Sequence, residues 1–204
     1  MHKNIKILLL TSILIHSGAN LLAPIYAIFI KDIGGDLMDA GIAIGIYALL
    51  KGVFYFIFGR IKEDLFSKKV MMCIGYTVMG IGYLCYVFAK KPMDVFLIQG
   101  IISLGETIIN PSWSAIIATS LEKGKERHLY ANFFGYRSIF EGIAAILGGL
   151  FAMEFGFNVL FGVMASFAIT SGLLSLFIHE ENNDLMLEKQ QIASKKACSN
   201  NEYE

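Results

Sequence analysis

Six long runs of apolar residues follow one another along the chain, separated by short polar connections. Each run can cross a hydrocarbon core of about 30 Å as a helix, which takes roughly 20 apolar residues. Six buried helices of a soluble protein would be shorter and would leave no polar surface. The pattern therefore predicts an all-α membrane protein with six transmembrane helices. The predicted spans are residues 7–30, 40–59, 70–89, 95–121, 129–153 and 157–178.

The six spans form one transmembrane domain, residues 1–178, and residues 179–204 form a polar cytoplasmic tail. The first span could instead be a secretory signal peptide, because two lysines precede it and residues 17–19 resemble a cleavage site. However, the apolar run continues to Ile30, so cleavage would leave half of a hydrophobic helix. We therefore interpret the first run as a transmembrane helix.

Composition and charge agree with a membrane location. Of the 204 residues, 55% are hydrophobic and 17% are charged, and 17 basic residues balance 17 acidic ones. This composition excludes an ordinary soluble domain, and it lacks the basic excess of a nucleic-acid-binding protein. With the N-terminus inside, twelve basic residues lie in inner segments and three in outer connections. The bias predicts a multi-pass protein of the plasma membrane with both termini in the cytoplasm.

Polar side chains lie inside four of the spans, where each needs a partner or a cavity. At a helical rise of about 1.5 Å per residue, Asn20, Lys51 and Glu106 lie near the midplane. The polar residues of the fourth span are spaced four, three and four apart, so they share one helix face. The residues expected to contact a solute in a mid-membrane cavity are His16, Asn20, Gln99, Ser103, Glu106 and Asn110.

A second interpretation of these residues stays open, in which they bond to one another between helices and line no cavity. Arg137 and Glu141, four residues apart, could be a self-compensated pair on one helix. Spans three and six carry none of these groups, so we expect them to face lipid while the other four line the cavity. Pro24 and Asn110-Pro111 predict weak points in the first and fourth helices.

Glycines recur every seven residues in two of the spans. These are Gly45, Gly52 and Gly59 in the second span and Gly135, Gly142 and Gly149 in the fifth. Small residues at this period allow two helix backbones to approach closely. Pairing of the two antiparallel stripes would place Lys51 and Glu141 at one depth. We therefore expect an intramembrane charge pair drawn from Lys51, Arg137 and Glu141.

The connection after the second span contains Gly59, then Glu63, then Lys68 and Lys69 before the third span. This pattern resembles the signature loop of the major facilitator superfamily (MFS). The resemblance implies two inverted three-helix repeats, with the first and fourth helices lining a central cavity, and a secondary transporter. Members of this family ordinarily have twelve spans in two halves. The chain resembles the N-terminal six-helix half.

Two functions follow from this resemblance. The chain transports a small solute after forming a homodimer or joining a second six-helix half, or it is a non-transporting truncated or split remnant or a structural subunit. We do not expect an enzyme, because no activated serine motif accompanies His16. The cysteines at positions 73, 85 and 198 lack metal-ligand spacing, so no metal or cofactor is expected.

Overall fold

The computed structural model describes residues 3–60, 67–120, 124 and 126–179. Glu63 of the predicted signature loop and residues 180–204 of the predicted tail lie outside the described residues. Every regular element in the described ranges is helical. Within those ranges, five helical stretches are long and apolar enough to cross a membrane, and the last of them, Glu126–Ser175, consists of two helices joined at a kink. The all-α membrane fold predicted from the sequence is thus confirmed.

The first span changes helix type once. Helix α1, Lys3–Leu22, leads into a 3-10 turn, Ala23–Ile25, which leads into helix α2, Tyr26–Asp32. Pro24 lies in the turn, and a proline has no N–H to bond the carbonyl four residues earlier. The local weakening expected from Pro24 is present, and the whole stretch still forms one candidate span of 30 residues.

Helix α3, Leu37–Phe58, begins with a capping box. The Asp39 N–H donates to Asp36 Oδ1 at 2.9 Å, and the Asp36 N–H donates to Asp39 Oδ2 at 3.0 Å. These bonds satisfy N–H groups that the first turn of a helix leaves without partners. Helix α4, Lys68–Cys85, follows and ends in a 3-10 turn, Tyr86–Phe88.

The remaining helices differ from the expectation at two points. Helix α5, Pro92–Ser120, continues through Pro111, so the interruption expected there does not occur. Helix α6, Glu126–Ser175, contains a kink at Gly156, where φ is 77° and ψ is 171°. Glycine adopts a positive φ without a steric penalty. Gly156 therefore separates a first segment of α6, residues 126–155, from a second segment, residues 157–175.

Helix α4 lies at the centre of the bundle, between α5 and the second segment of α6. Glycines permit both contacts. A Cβ added at Gly75 of α4 would lie 2.7 Å from the carbonyl oxygen of Gly105 in α5, and one at Gly80 would lie 3.5 Å from Ala168 Cβ in α6. Because α3 packs chiefly on α5 and α1 on α6, the helices follow the order α3, α5, α4, α6, α1.

Spans three and six each combine an exposed apolar face, on which Ile81 and Leu173 are 51% and 58% exposed, with a packed inner face. The expectation that only the other four spans line the cavity is wrong, because α4 and the second segment of α6 contribute to its lining. Met72, Tyr76 and Tyr83 of α4 are at most 3% exposed, and Leu160 and Met164 of α6 are at most 1% exposed. An absence of charge suits a packed interior as well as a lipid-facing surface. Glycine, alanine and methionine also fit the close contacts of such an interior.

The most open helices are α3 and the first segment of α6. Among the residues of α3, the structure buries Ala40 and Ala43. A Cβ added at any of five stripe glycines would meet no described atom within 4 Å. These glycines, which define what we call the open face, are Gly45, Gly52, Gly135, Gly142 and Gly149. The five glycines thus face away from the other helices of the chain.

Candidate functional site

A half-open cavity of about 420 Å³ lies between the helices of the bundle. Helix α4 forms its back wall through Tyr76, Met79 and Tyr83. Its volume falls within the range of roughly 300–1,000 Å³ that is typical of small-molecule sites. Other apolar and aromatic residues of the lining are Ile15, Tyr26, Tyr86, Ile102, Trp113 and Met164.

One polar wall of the cavity is formed by α3 and α5. Tyr47, Lys51 and Tyr55 recur every fourth residue on α3, so they share a face. Lys51 Nζ lies 2.7 Å from Glu106 Oε1 on α5, and the Tyr47 hydroxyl donates to the other oxygen of that carboxylate. One turn further along, the Asn110 amide donates to the Tyr55 hydroxyl. Because residue numbers rise together on both helices, α3 and α5 run parallel.

The ion pair on this wall explains how Glu106 is accommodated at membrane depth. An isolated charge at the bilayer centre costs on the order of 3 kcal/mol on insertion scales, and pairing reduces that cost. The side chains of Lys51 and Glu106 are 25% and 22% exposed. Glu106 and Tyr47 line the cavity, whereas Lys51 is not part of its lining.

The opposite polar wall is formed by α1 and the first segment of α6. Ser12, His16 and Arg137 line the cavity there. His16 Nδ1 lies 2.9 Å from the carbonyl oxygen of Ser12, which can only accept, so Nδ1 carries the hydrogen. Nε2 of the neutral ring is then an acceptor. Arg137 Nε lies 2.9 Å from Glu141 Oε1 and its guanidinium lies 5.2 Å from the Phe134 ring centre.

Two of the expected solute contacts are not part of the cavity lining. Asn20 donates to the carbonyl oxygen of His16 at 2.9 Å, and Ser103 donates to that of Gly100 at 2.8 Å. Both side chains therefore bond the backbone of their own helices. The expected residues that do line the cavity are His16, Gln99, Glu106 and Asn110, and Gln99 also donates to the Tyr26 hydroxyl at 2.8 Å.

The intramembrane charges pair differently from the expected register. Within the chain, Lys51 contacts Glu106, and Glu141 contacts Arg137 four residues away. The alternative of a self-compensated pair on the fifth span therefore describes Arg137 and Glu141. The two interpretations of the polar residues are also compatible, because Glu106 lines the cavity and also bonds to residues of another helix. A contact between Lys51 and Glu141 of two different chains stays a prediction.

Sequence reasoning missed the aromatic half of the lining. For Tyr47 a signal was present, since it is spaced four residues from Lys51 and must share its face. Tyr76 and Tyr83 of α4 had no such marker, because the apolar part of that span contains no Asp, Glu, Lys or Arg that would indicate a cavity. Only the packing of α4 between its neighbours reveals their place in the back wall.

Aromatic contacts hold the helices together at two places beside the cavity. Phe29 of α2 meets Tyr86 edge-on at 5.6 Å between ring centres and Phe161 at 5.0 Å. Trp113 of α5 meets Phe133 of α6 edge-on at 5.3 Å. Tyr86 and Trp113 also line the cavity, so these contacts fix two of its edges.

The remaining predicted positions lie away from the cavity. Gly59 follows the end of α3, where its N–H donates to the Tyr55 carbonyl at 2.9 Å. Lys68 and Lys69 form the first turn of α4. In the described ranges, no group of three or more His, Cys, Asp or Glu side chains is placed to hold a metal ion.

Comparison with known sequences decides the family. A family model of the Major Facilitator Superfamily matches residues 8–199. The chain belongs to the major facilitator superfamily. This MFS chain is 22% identical over 159 residues to YitZ of Bacillus subtilis (strain 168), an uncharacterized MFS-type transporter. The match covers 78% of the chain and 96% of YitZ.

Longer MFS proteins match over one part of their length. NorA of Staphylococcus aureus, a quinolone resistance protein, is 25% identical over 184 residues, 88% of this chain and 46% of NorA. The crystal structure of the peptide transporter POT in complex with sulfate shares the fold, with a TM-score of 0.66 and 17% identity. That match covers 97% of this chain and 44% of POT. The chain is thus a multi-pass membrane protein with about half the length of NorA or POT.

Proposed function

We propose that this MFS chain moves a small solute across the plasma membrane as a secondary transporter, with both termini in the cytoplasm. The cavity is the observation that carries the proposal, because an apolar space with polar groups on two walls suits a solute. Transporters of this family hold their solute near the bilayer midplane, between structural repeats. Glu106 lies in the middle of α5 and lines this cavity. The family and the relatives named as transporters support the same function.

We infer that the open face is covered by a second copy of the chain or by a partner half of the same fold. Leu49 and Phe56 of α3 and Ile146 of α6 flank its glycines and are 73%, 79% and 71% exposed. Lipid tolerates apolar side chains, but a stripe of glycines gains packing energy only against another helix. A two-fold axis would bring α3 of each copy onto α6 of its mate, which closes the assembly.

Cysteine cross-linking tests this assembly. The experiment starts from a variant in which the three native cysteines are replaced by serine or alanine. Gly52→Cys and Gly142→Cys are then combined on one chain, because both positions have open space for a side chain. A short bifunctional reagent applied to membranes should give a covalent dimer.

Matched controls separate the proposed contact from random collision. Each single-cysteine variant lacks the mate that the two-fold arrangement requires, so little dimer is expected. A further control is Ile81→Cys, because Ile81 is 51% exposed and lies on α4, away from the open face. Its combination with Gly142→Cys should also stay monomeric. Monomer alone from the double variant would contradict the two-fold dimer of this chain.

A non-transporting remnant or structural subunit is the second candidate. The two candidates differ in what Glu106→Gln does. For a transporter, replacing this cavity carboxylate should slow solute uptake into proteoliposomes or change its pH dependence. A chain that moves no solute in any variant would support the second candidate.

A further inference from the structure

The charged groups that face the cavity have opposite signs and lie on opposite walls. Glu106 faces it from the wall of α3 and α5, and Arg137 faces it from the wall of α1 and α6. We propose that the cavity takes an aromatic solute that carries one cationic and one anionic group and has no net charge. This inference rests on the proposed transport function and names its substrate class.

The charges of the two walls already balance within the chain. Lys51 lies 2.7 Å from Glu106 and Glu141 lies 2.9 Å from Arg137, so the four groups sum to zero. A charge without a partner at this depth costs several kcal/mol. A solute with one net charge would leave that charge uncompensated. A zwitterion adds one charge of each sign and keeps the balance.

The wall of α1 and α6 can hold the anionic group. Ser12 is 2% exposed and its hydroxyl has no hydrogen-bond partner among the described residues. Buried donors normally have partners. Arg137 Nε is paired with Glu141 Oε1 at 2.9 Å, and the Arg137 side chain lines the cavity, so the other nitrogens of its guanidinium are the donors that a solute could use. A carboxylate of the solute would accept from the Ser12 hydroxyl and from these nitrogens.

The wall of α3 and α5 can hold the cationic group. Each Glu106 carboxylate oxygen accepts one hydrogen bond in the structure, one from Lys51 and one from Tyr47. A carboxylate oxygen has two lone pairs, so each can accept one more bond. Asn110 uses its amide N–H₂ on Tyr55, which leaves its amide oxygen as a further acceptor beside the cavity. An ammonium group, which carries three donors, fits this set.

The surface between the two polar walls is aromatic and apolar. Tyr76, Tyr83 and Met79 of α4 and Trp113 of α5 supply it. Aromatic rings stack on one another in offset or edge-on geometry, and methionine sulfur contacts ring edges. A solute whose two charged groups are joined by an aromatic ring would therefore contact all three surfaces at once.

The single tryptophan of the chain permits a direct test. Trp113 is that residue and it lines the cavity, so its fluorescence reports occupancy. The full chain in lipid nanodiscs is titrated with four probes of one shape. They are 4-(aminomethyl)benzoate as the zwitterion, 4-methylbenzylamine as the cation, 4-methylbenzoate as the anion and 4-methylbenzyl alcohol as the neutral compound.

We expect the zwitterion to bind at least about tenfold more tightly than each of the other three probes, equivalent to about 1.4 kcal/mol. Glu106→Gln should make the zwitterion and the anion bind alike. Arg137→Gln should make the zwitterion and the cation bind alike, whereas Arg137→Lys should keep the preference. Ser12→Ala should weaken binding of the zwitterion and of the anion several-fold and leave binding of the cation unchanged. Size-exclusion elution and the thermal midpoint show that each variant is folded.

Three outcomes would overturn the inference. They are tightest binding of the cation, affinities of the four probes within twofold of one another, and no binding of any probe. The first two would still show a cavity that takes a solute, so the proposed transport function would survive them. The third is distinguished from a failure of that function by the cross-linking and uptake measurements, which do not depend on these probes.

Discussion

Helices α3 and α4 are both apolar and rich in glycine, yet their glycines have opposite surroundings. In α4, a Cβ added at Gly75 would lie 2.6 Å from Ile109, and one at Gly82 would lie 2.8 Å from Ile102. In α3, a Cβ added at Gly45 or Gly52 would meet no described atom within 4 Å. The glycines of α4 therefore hold the six-helix unit together. Those of α3 are available to something outside it.

The same contrast applies to the charged residues. Helix α4 has no Asp, Glu, Lys or Arg beyond the two lysines of its first turn, and it packs between α5 and α6. Helix α3 carries Lys51 and lies at the edge of the bundle, where α5 is its main neighbour. In this chain, the charged side chains lie on helices that border the cavity or the open face, whereas α4 borders the cavity with uncharged tyrosine and methionine side chains.

The largest expected change in stability concerns two adjacent glycines of α6, of which one is packed against another helix and the other lies on the open face. A Cβ at Gly148 of α6 would overlap the backbone carbonyl of Leu21 in α1, whereas one at Gly149 would meet nothing within 4 Å. Gly148→Ala should lower the free energy of unfolding by about 3 kcal/mol, because neither backbone can yield easily. In the monomeric chain, Gly149→Ala should be neutral or slightly stabilising, since alanine favours helix by up to about 1 kcal/mol.

Thermal unfolding in detergent, followed by fluorescence-detected size exclusion, measures both variants. A loss of about 3 kcal/mol corresponds to a fall in Tm of roughly 6–12 °C for a chain of this size. Equal midpoints for the two alanine variants would remove the distinction between packed and open glycines.

A smaller effect is expected where α3 joins the bundle. Lys51→Met leaves the Glu106 carboxylate beside the cavity without its cation. We expect the free energy of unfolding to fall by about 2 kcal/mol, which is less than for a fully buried pair because both side chains are partly exposed. The double variant Lys51→Met/Glu106→Met removes both charges and should recover most of that loss. Midpoints of the single and double variants, measured in the same detergent, form the test. A double variant less stable than the single one would show that the ion pair is not what couples α3 to α5.

The smallest effect is expected at the contact between the two ends of the described chain. The Asn4 amide donates to the His179 carbonyl at 2.6 Å, and the His179 N–H donates to Asn4 Oδ1 at 3.0 Å. Asn4→Ala removes both bonds and should cost about 1 kcal/mol, because each exposed bond contributes little. Hydrogen exchange of the His179 amide should rise in this variant and stay low in Asn4→Asp, which retains the acceptor. Unchanged exchange in Asn4→Ala would contradict the contact.

The fold was predictable from the sequence to the extent that it depends on local properties. Hydropathy is read over about twenty neighbouring residues, so the spans and the α-helical class were apparent. The weak point at Pro24 also follows from one residue and its missing N–H. The unbroken course of α5 through Pro111 was not predictable in this way, because packing around a proline helps to decide whether a helix continues.

The candidate site was less predictable because it depends on which helices are neighbours. Depth and glycine spacing suggested Glu141 as the partner of Lys51, whereas the parallel contact of α3 with α5 gives it Glu106. The tyrosines of α4 reach the cavity because α4 is central, which no residue in that span reveals. Polar residues identified the cavity, but the contacts between helices determine its pairs.

The mass of the particle in its native lipids tests the central claim most directly, namely that the open face is an interface of a larger MFS assembly. The tagged chain would be extracted from the membranes of its own cells in nanodiscs and measured by native mass spectrometry. One chain has a mass of 22.6 kDa. We expect a protein mass of about twice that value, or one chain together with a second six-helix polypeptide. A particle holding a single copy of the chain and no other protein would contradict the account.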